Sequence, residues 1–494
     1  MIELLDIVLP ILSLIVFALL TVPTIKAIRK SSHTTALTLV WFAIVFVFTF
    51  SAVANLAVQY YALPASEHFV TVHLSDSPFE TLSSVFLIDG ISIFMAIIFV
   101  ALSSVVMLYS VFYTSPKERP SERYYAIMLL LTAALLGSVF SGDLLTLFIF
   151  WESAAAGSSF LMLYKKNRYS LNAALKYIVM IVIASAFIVF GLSLVYGITG
   201  TLNFIAVKDA LLTLTDNHLL IIAFLFIITG YAIESAIVPF HFWLPDAYNY
   251  APASTSSFLS GLIDQGSYYV LIRVLVFILI PTGALDWRIL LAILATLSMV
   301  MGNLFALIQK NVKLLISYIC VADVGYNLVA ITSYTSLGLQ GNLYFFIIGG
   351  ITTALSFMAV GIFNHYGLRT LEDFSGLGKK MPITSLALVI AALSFAGVPP
   401  LGGFMGKYLV FTAAIQSGFT WLAVIGVIVS VLQTAYLFRL INIMYSKKPK
   451  DEISIKEPKK LLIPILILAI SLIILGLFPS IIMNPIQNIF QPLP

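Results

Sequence analysis

Charged residues are scarce in this sequence, and cysteine is nearly absent from it. Only 10% of the 494 residues are charged, whereas 61% are hydrophobic and the mean hydropathy is +1.05. A soluble globular chain carries about 25% charged residues, so a chain this apolar cannot keep a water-soluble surface. The composition therefore predicts an all-α integral membrane protein, because a helix satisfies its own backbone hydrogen bonds in lipid.

The lone cysteine, Cys320, excludes several kinds of site within this chain. One thiol cannot form an internal disulfide, a cysteine-based tetrahedral zinc site or an iron–sulfur cluster. The sequence also lacks the HExxH zinc motif and the nucleophile elbow of hydrolases. The net charge of +4 is small, and no basic stripe suits a nucleic acid. We therefore expect no metal centre, no cofactor, no nucleic-acid partner and no redox or hydrolytic chemistry in this chain.

Long apolar runs predict about fourteen membrane-spanning helices. A helix needs about 20 apolar residues to cross the hydrocarbon core of the bilayer. Runs of this kind lie at 4–23, 35–56, 86–113, 125–142, 144–164, 173–198, 218–243, 254–280, 288–308, 312–333, 341–366, 383–416, 420–445 and 460–482.

Lysine and arginine are distributed unevenly between alternate loops. Basic residues cluster at 26–30, 117–123, 165–168, 310–313, 369–380 and 447–460. The other connections carry little beyond Lys208 and Arg288. Because basic loops stay on the inner side, this asymmetry predicts a multi-pass protein of the plasma membrane with both termini outside.

Two of the predicted spans contain prolines that interrupt a helix. One carries Pro239 just before His241, and the other carries Pro399 and Pro400 shortly before Gly403. A proline removes a backbone donor, which membrane depth tolerates only where the freed backbone faces protein or a wet cavity. Broken spans in corresponding positions of two halves are typical of transporters with inverted repeats. Proline kinks without a function are the alternative interpretation.

Several charged side chains fall at membrane depth within the predicted spans. A charge there is costly unless it is paired or hydrated, so each one marks a candidate ion path. The candidates are Glu152, Lys176, Glu234, Asp264, Asp323 and Lys407. The carboxylates occur on four separate spans and outnumber the cations, which favours groups that take up and release an ion. Each one could instead form a static ion pair, for example with Arg273.

Several distinctive sequence segments occur between residues 85 and 445. They are Arg123-Tyr-Tyr-Ala, Ser141-Gly-Asp-Leu-Leu-Thr-Leu-Phe-Ile-Phe-Trp-Glu152, Ala173-Ala-Leu-Lys-Tyr177, Thr199-Gly-Thr-Leu-Asn-Phe204, Val238-Pro-Phe-His-Phe-Trp-Leu-Pro-Asp-Ala247 and Gly397-Val-Pro-Pro-Leu-Gly-Gly-Phe-Met-Gly-Lys407. Together they resemble the antiporter-like subunits shared by respiratory complex I, Mrp-type sodium/proton antiporters and membrane-bound hydrogenases. The first two segments are most similar to the Mrp and hydrogenase branches, which include archaeal hydrogenases and their sulfur-reducing relatives.

The resemblance implies fourteen helices with two inverted five-helix repeats, in which helices 7 and 12 are discontinuous. It implies helices 1–3 at 1–124, a first repeat (helices 4–8) at 125–280, a second repeat (helices 9–13) at 288–445, and a loop with helix 14 at 446–494. It further implies that the chain moves H⁺, Na⁺ or both, with other membrane subunits of a respiratory or antiporter complex as partners. The family's fifth-helix glutamate, sixth-helix lysine and twelfth-helix lysine correspond to Glu152, Lys176 and Lys407.

The sequence departs from the family pattern where a central chain of basic residues is usual. Glu234 stands where the family usually has a lysine, and Gln265, beside Asp264, stands at the eighth-helix lysine. Asp323 stands where a histidine is often found. The path is thus rich in oxygen ligands, which suit an extra proton or a hydrated Na⁺ near Glu234, Asp264 and Asp323.

Three functions are compatible with this pattern. The first is an ion-translocating subunit that uses the buried charged residues, coupled to the energy source of the complex. The alternative is a structural or relay subunit with a degenerate ion path, which the replaced lysines and histidine would explain. The third is a stand-alone secondary transporter of a small solute.

Overall fold

The protein is described by a computed structural model that covers residues 2–64, 68–74, 84–118, 120–165, 167–212, 218–276, 287–448 and 456–489. Arg119, Lys166 and Lys450, which contribute to the predicted inner loops, lie outside the described residues, as do parts of the predicted segments 1–124, 125–280 and 446–494. Helices dominate the described residues, as the composition predicts. A short antiparallel pair of strands, β1 (Val70–His73) and β2 (Val85–Ile88), was not predicted from the sequence.

The chain divides into two compact units. The first unit comprises Met1–Tyr164, Ala174–Ser235 and Gly266–Trp287. The second unit comprises Lys165–Ala173, Ala236–Gln265 and Arg288–Pro494. The boundaries of the inverted repeats at 125–280 and 288–445 stay a prediction.

The helices up to residue 234 belong to the first unit, apart from the beginning of α6. They are α1 (Leu4–Ile28), α2 (Thr34–Tyr61), α3 (Gly90–Tyr113), α4 (Ser121–Phe140), α5 (Leu144–Met162), α6 (Arg168–Thr199), α7 (Phe204–Leu212) and α8 (His218–Glu234). Side chains cap the N-termini of α3 and α5. Asp89 accepts a hydrogen bond from the Ser92 backbone N–H at 2.8 Å, and Asp143 accepts one from the Thr146 backbone N–H at 2.7 Å. Such caps satisfy donors that a helix N-terminus leaves unpaired.

The remaining helices belong to the second unit, except for most of α11 and the first residue of α12, which lie in the first. They are α9 (Trp243–Tyr250), α10 (Ala253–Phe258), α11 (Asp264–Val274), α12 (Trp287–Ile308), α13 (Val312–Ser333), α14 (Ser336–His365), α15 (Leu377–Lys380), α16 (Pro382–Ala396), α17 (Gly402–Gln416), α18 (Thr420–Ser446), α19 (Lys459–Leu477) and α20 (Ser480–Ile489). A π-helical turn, Leu259–Ile263, separates α10 from α11.

Eleven helices within the described residues are long and apolar enough to cross a membrane. They coincide with eleven of the predicted spans, whereas the full count of fourteen stays a prediction. The apolar helices α8 and α16 are shorter, with 17 and 15 residues. The most enclosed spans are α4 in the first unit and α13 and α14 in the second.

Both short helices end beside the prolines that predicted an interruption. α8 ends at Glu234, and residues 235–242, which include Pro239, connect it to α9. α16 ends at Ala396, after which Gly397 adopts a left-handed conformation with φ of 72°. Only glycine adopts this conformation readily, and it ends a helix by turning the chain away from the axis. Pro399 and Pro400 then prevent the helix from resuming before Gly402.

Candidate functional site

Two predicted carboxylates meet in the first unit. Glu152 lies in the middle of α5 and is half-buried, whereas Glu234 is the last residue of α8 and only 3% exposed. The two carboxyl groups lie close enough to interact electrostatically. Glu234 Oε1 nevertheless has no hydrogen-bond partner among the described residues. Two ionised carboxylates can only accept hydrogen bonds, so they form no bond to each other unless a proton or a cation joins them.

Neighbouring side chains complete an acid cluster, which consists of Trp151, Glu152, Ser185, Tyr231 and Glu234. The indole N–H of Trp151 donates to Glu234 Oε2 at 2.5 Å, and the Ser185 hydroxyl donates to Glu152 Oε1 at 2.7 Å. Tyr231 is fully buried one turn before Glu234 and lies within electrostatic reach of both carboxyl groups. Its hydroxyl has no hydrogen-bond partner in the described part of the chain.

The second unit holds a buried ammonium group. Lys407 lies on α17 and is 5% exposed. Its Nζ donates to Phe395 O at 2.7 Å, to Gln433 Oε1 at 2.6 Å and to Ser430 Oγ at 3.3 Å. It also lies 4.4 Å from the centre of the Tyr326 ring, a distance that suits a cation–π contact.

The break after α16 explains why Lys407 is held in this way. Because the helix ends at Ala396, the carbonyl of Phe395 has no partner in a following turn and is free to accept from the ammonium. The negative end of the helix dipole also favours a cation there. The Lys407 chain passes close to Gly397, where an added Cβ would lie 3.3 Å from Lys407 Cδ. The glycine thus ends the helix and leaves room for the lysine.

Asp323 lies near Lys407 on the buried face of α13. It is 7% exposed and within electrostatic reach of the ammonium, yet the structure shows no direct ion pair between the two within the described residues. Asp323 Oδ1 has no hydrogen-bond partner there either. The lysine is therefore solvated by neutral oxygens, and a carboxylate oxygen nearby remains available to an ion.

The predicted pair Asp264 and Gln265 follows the π-helical turn of the second unit, and both residues are buried. Tyr248 forms a hydrogen bond with the Asp264 carboxyl group. Gln265 donates to Ser260 O at 3.3 Å, and Thr353 donates to the same carbonyl at 3.2 Å. Ser260 Oγ and Gln265 Oε1 have no partner among the described residues. π-Helical turns occur frequently at functional sites because they shift side chains and carbonyls out of register.

The other predicted residues have different surroundings. Lys176 lies on an exposed face of α6 rather than in a buried cluster. His241 is 4% exposed and stacks on Phe305, with ring centres 5.8 Å apart. At Gly403 an added Cβ would overlap the Ser394 carbonyl, so this position at the start of α17 requires glycine. Pro239, Pro399 and Pro400 occupy the two interruptions.

The first unit also contains a buried ion pair of opposite charges, which the sequence suggested only through Arg273. Arg273 donates to both carboxylate oxygens of Asp89, at 2.5 and 2.7 Å, and to the Tyr269 hydroxyl at 2.9 Å. Asp89 also accepts from the Ser92 backbone, so it lies under the N-terminus of α3. Both charges are paired and hydrogen-bonded, which is the arrangement of a structural ion pair.

Sequence reasoning missed several members of these clusters. Tyr231 and Tyr326 lie three residues from Glu234 and Asp323, so helical spacing alone places each pair on one face. Trp151 adjoins Glu152 in the sequence. Ser185 and Gln433 carry no comparable signal, because they come from other helices.

The comparisons with known proteins agree with this architecture. Residues 141–433 match the family described as NADH:quinone oxidoreductase/Mrp antiporter, TM. NADH-quinone oxidoreductase subunit N of Dehalococcoides mccartyi is 30% identical over 428 residues, which is 84% of this chain and 88% of the relative. The chain belongs to this family. It is an antiporter-like, multi-pass membrane subunit.

Two further relatives support the assignment. F(420)H(2) dehydrogenase subunit N of Methanosarcina mazei is 31% identical over 415 residues, which is 81% of this chain and 83% of the relative. A chain of the membrane-bound sulfane sulfur reductase, an archaeal respiratory membrane complex, superposes with a TM-score of 0.85 at 27% identity, covering 97% of this chain and 96% of that chain. Each of these relatives is a subunit of a multi-subunit membrane complex.

Proposed function

We propose that this family member moves a monovalent cation, H⁺ or Na⁺, across the plasma membrane as one subunit of a larger respiratory or antiporter complex. Its partners are the lipid bilayer and other membrane subunits, with both termini on the outer side. The chain contributes ion-binding side chains, while another subunit supplies the energy source. Related subunits of respiratory complexes support this proposal.

The observation that carries the proposal is the surroundings of Lys407. An ammonium group buried at membrane depth is costly, and among the described residues its direct contacts are neutral oxygens and an aromatic ring. Asp323 lies within electrostatic reach of Lys407 and forms no direct ion pair in the described part of the chain. An ion that arrives at or leaves Asp323 therefore changes the electrostatic stabilisation of Lys407, which is what a relay of charge between neighbouring sites requires.

The test is ion transport by membranes that contain the complex with Lys407→Met. We expect transport to fall at least tenfold, because methionine keeps the length of the side chain and removes its charge. Lys379→Met is the matched control, since Lys379 is exposed at the end of the short helix α15. Full transport by an assembled Lys407→Met complex would refute the proposal. Repeating the assay with and without Na⁺ identifies the coupled ion.

One observation favours the second candidate, a structural or relay subunit. The neutral Gln265 occupies the position at which the family usually has a lysine, so part of the usual charged path is uncharged here. Under this alternative, the double variant Glu234→Gln/Asp264→Asn would reduce assembly or have no effect. A specific loss of transport from an intact complex with this double variant would exclude the alternative.

A further inference from the structure

The acid cluster of the first unit combines two negative groups with few hydrogen-bond donors. Within the described residues, the hydrogen-bond donors to Glu152 and Glu234 are one hydroxyl and one indole N–H, and the two carboxyl groups also interact electrostatically. A carboxylate offers about four lone-pair sites, so two donors satisfy only a small part of the pair. Two neighbouring carboxylates also repel each other, and the burial of Glu234 removes much of the water that would screen this repulsion.

The position of Glu234 adds a second unfavourable contribution. It is the last residue of α8, where the helix dipole is negative and where unpaired carbonyls already accumulate. An anion at this end is disfavoured, whereas a cation is favoured. A positive charge bound between Glu234 and Glu152 would offset both the mutual repulsion and the dipole.

Two buried oxygens of the acid cluster have no hydrogen-bond partner among the residues that the structure describes. They are Glu234 Oε1 and the Tyr231 hydroxyl, whose side chains are 3% and 0% exposed. Buried polar groups of folded proteins are almost always hydrogen-bonded, so unsatisfied ones call for a specific explanation. Tyr231 interacts electrostatically with both carboxyl groups, so its hydroxyl oxygen offers a neutral ligand beside the two charged ones.

We propose that Glu152 and Glu234 act as one site that binds a single monovalent cation between their carboxyl groups, with the Tyr231 hydroxyl as a third oxygen ligand. The cation is Na⁺ or a proton, since both bind to paired carboxylate oxygens. The role of this site in transport rests on the proposed function, whereas cation binding by the cluster does not. The two glutamates are therefore one functional unit rather than two successive stations.

The test uses the purified intact complex in a Na⁺-free buffer, with the variants Glu152→Gln, Glu234→Gln and both together. Equilibrium binding of radiolabelled Na⁺ measures a bound sodium ion. Infrared difference spectra on hydrogen–deuterium exchange detect a bound proton, through the C=O stretch of a protonated carboxyl group bonded to a carboxylate. We expect one of these signals in the unmodified complex, and we expect each single variant to remove it as fully as the double variant does.

Glu118→Gln is the matched control, because Glu118 is exposed in a loop outside the spans, and it should leave both signals unchanged. Tyr231→Phe keeps both carboxyl groups and removes one neutral ligand, so it should weaken Na⁺ binding about tenfold or shift the infrared band. The proposal is overturned if neither signal exists, or if either signal survives a single variant.

These outcomes are separable from those of the proposed function. The Lys407→Met complex should lose transport and still show the cation signal of the acid cluster. Loss of the cluster signal in Glu152→Gln therefore tests this site, and loss of transport in Lys407→Met tests the function.

Discussion

The C-termini of α8 and α16 lie beside side chains of opposite charge. Glu234 places a carboxylate at the end of α8, where the dipole opposes it and Glu152 repels it. Lys407 places an ammonium at the end of α16, where the freed Phe395 carbonyl and Gln433 accept its hydrogen bonds. The helix end thus opposes the charge of the first site, which needs an added cation, and favours the charge of the second site, whose contacts among the described residues are nonetheless neutral.

The Asp89–Arg273 pair provides a reference for both sites. There each charge has an opposite charge and further hydrogen bonds, so the arrangement needs no mobile ion. Burial of a charge therefore does not by itself identify an ion site in this protein. The useful distinction is whether the described side chains satisfy the charge.

The largest effect on stability is expected when the reference pair is broken. Arg273→Met leaves Asp89 buried without its cation, which costs about 3–5 kcal/mol. Denaturant titration of the purified complex, monitored by the loss of this subunit from it, measures the change in the free energy of unfolding. Arg369→Met is the control, because Arg369 is exposed. A change under about 1 kcal/mol for Arg273→Met would show that the pair is not structural, since exposed ion pairs contribute no more than that.

A smaller loss is expected at the end of α16. Lys407→Met removes the donor to the Phe395 carbonyl and to Gln433, and unsatisfied buried acceptors cost about 1–3 kcal/mol. The same titration measures it, with Lys379→Met as the control. An increase in stability would contradict the comparison, because it would mean that the ammonium is as unfavourable at its helix end as the carboxylate is at α8.

The smallest effect, and one of opposite sign, is expected at the end of α8. Glu234→Gln removes a carboxylate from an unfavourable helix end, which should leave the free energy of unfolding unchanged or raise it by about 0.3–1 kcal/mol. Titration in a Na⁺-free buffer is the measurement. A loss above about 2 kcal/mol would show that the glutamate is satisfied in a way comparable to Asp89.

Much of the fold was predictable because apolar length decides where a helix can cross a bilayer. Proline located both interruptions, since it fixes φ and removes a backbone donor whatever surrounds it. Glycine marked the second one as well, because it adopts the left-handed conformation at residue 397 without steric cost. The β1–β2 pair was missed because β1 lies in a segment predicted as a loop and β2 overlaps the start of the predicted span 86–113. The π-helical turn carries no distinctive composition and was missed for that reason.

The candidate site was predictable in its charges but not in its partners. Glu152, Glu234, Asp323 and Lys407 stand out because a charge in an apolar run is rare. Whether each is satisfied depends on residues far away in the chain, such as Ser185 for Glu152 and Gln433 for Lys407. Phe395 accepts a hydrogen bond from Lys407 through its backbone carbonyl, which is available only because α16 ends one residue later. The side chain of Phe395 gives no indication of this role.

The most direct test of the account is the rate of ion transport per assembled complex with Glu234→Gln. We expect a fall of at least tenfold while the subunit stays in the complex with undiminished stability, because the variant removes an ion ligand and not a structural bond. Transport at the unmodified rate in an intact complex would contradict the claim that the acid cluster carries the ion.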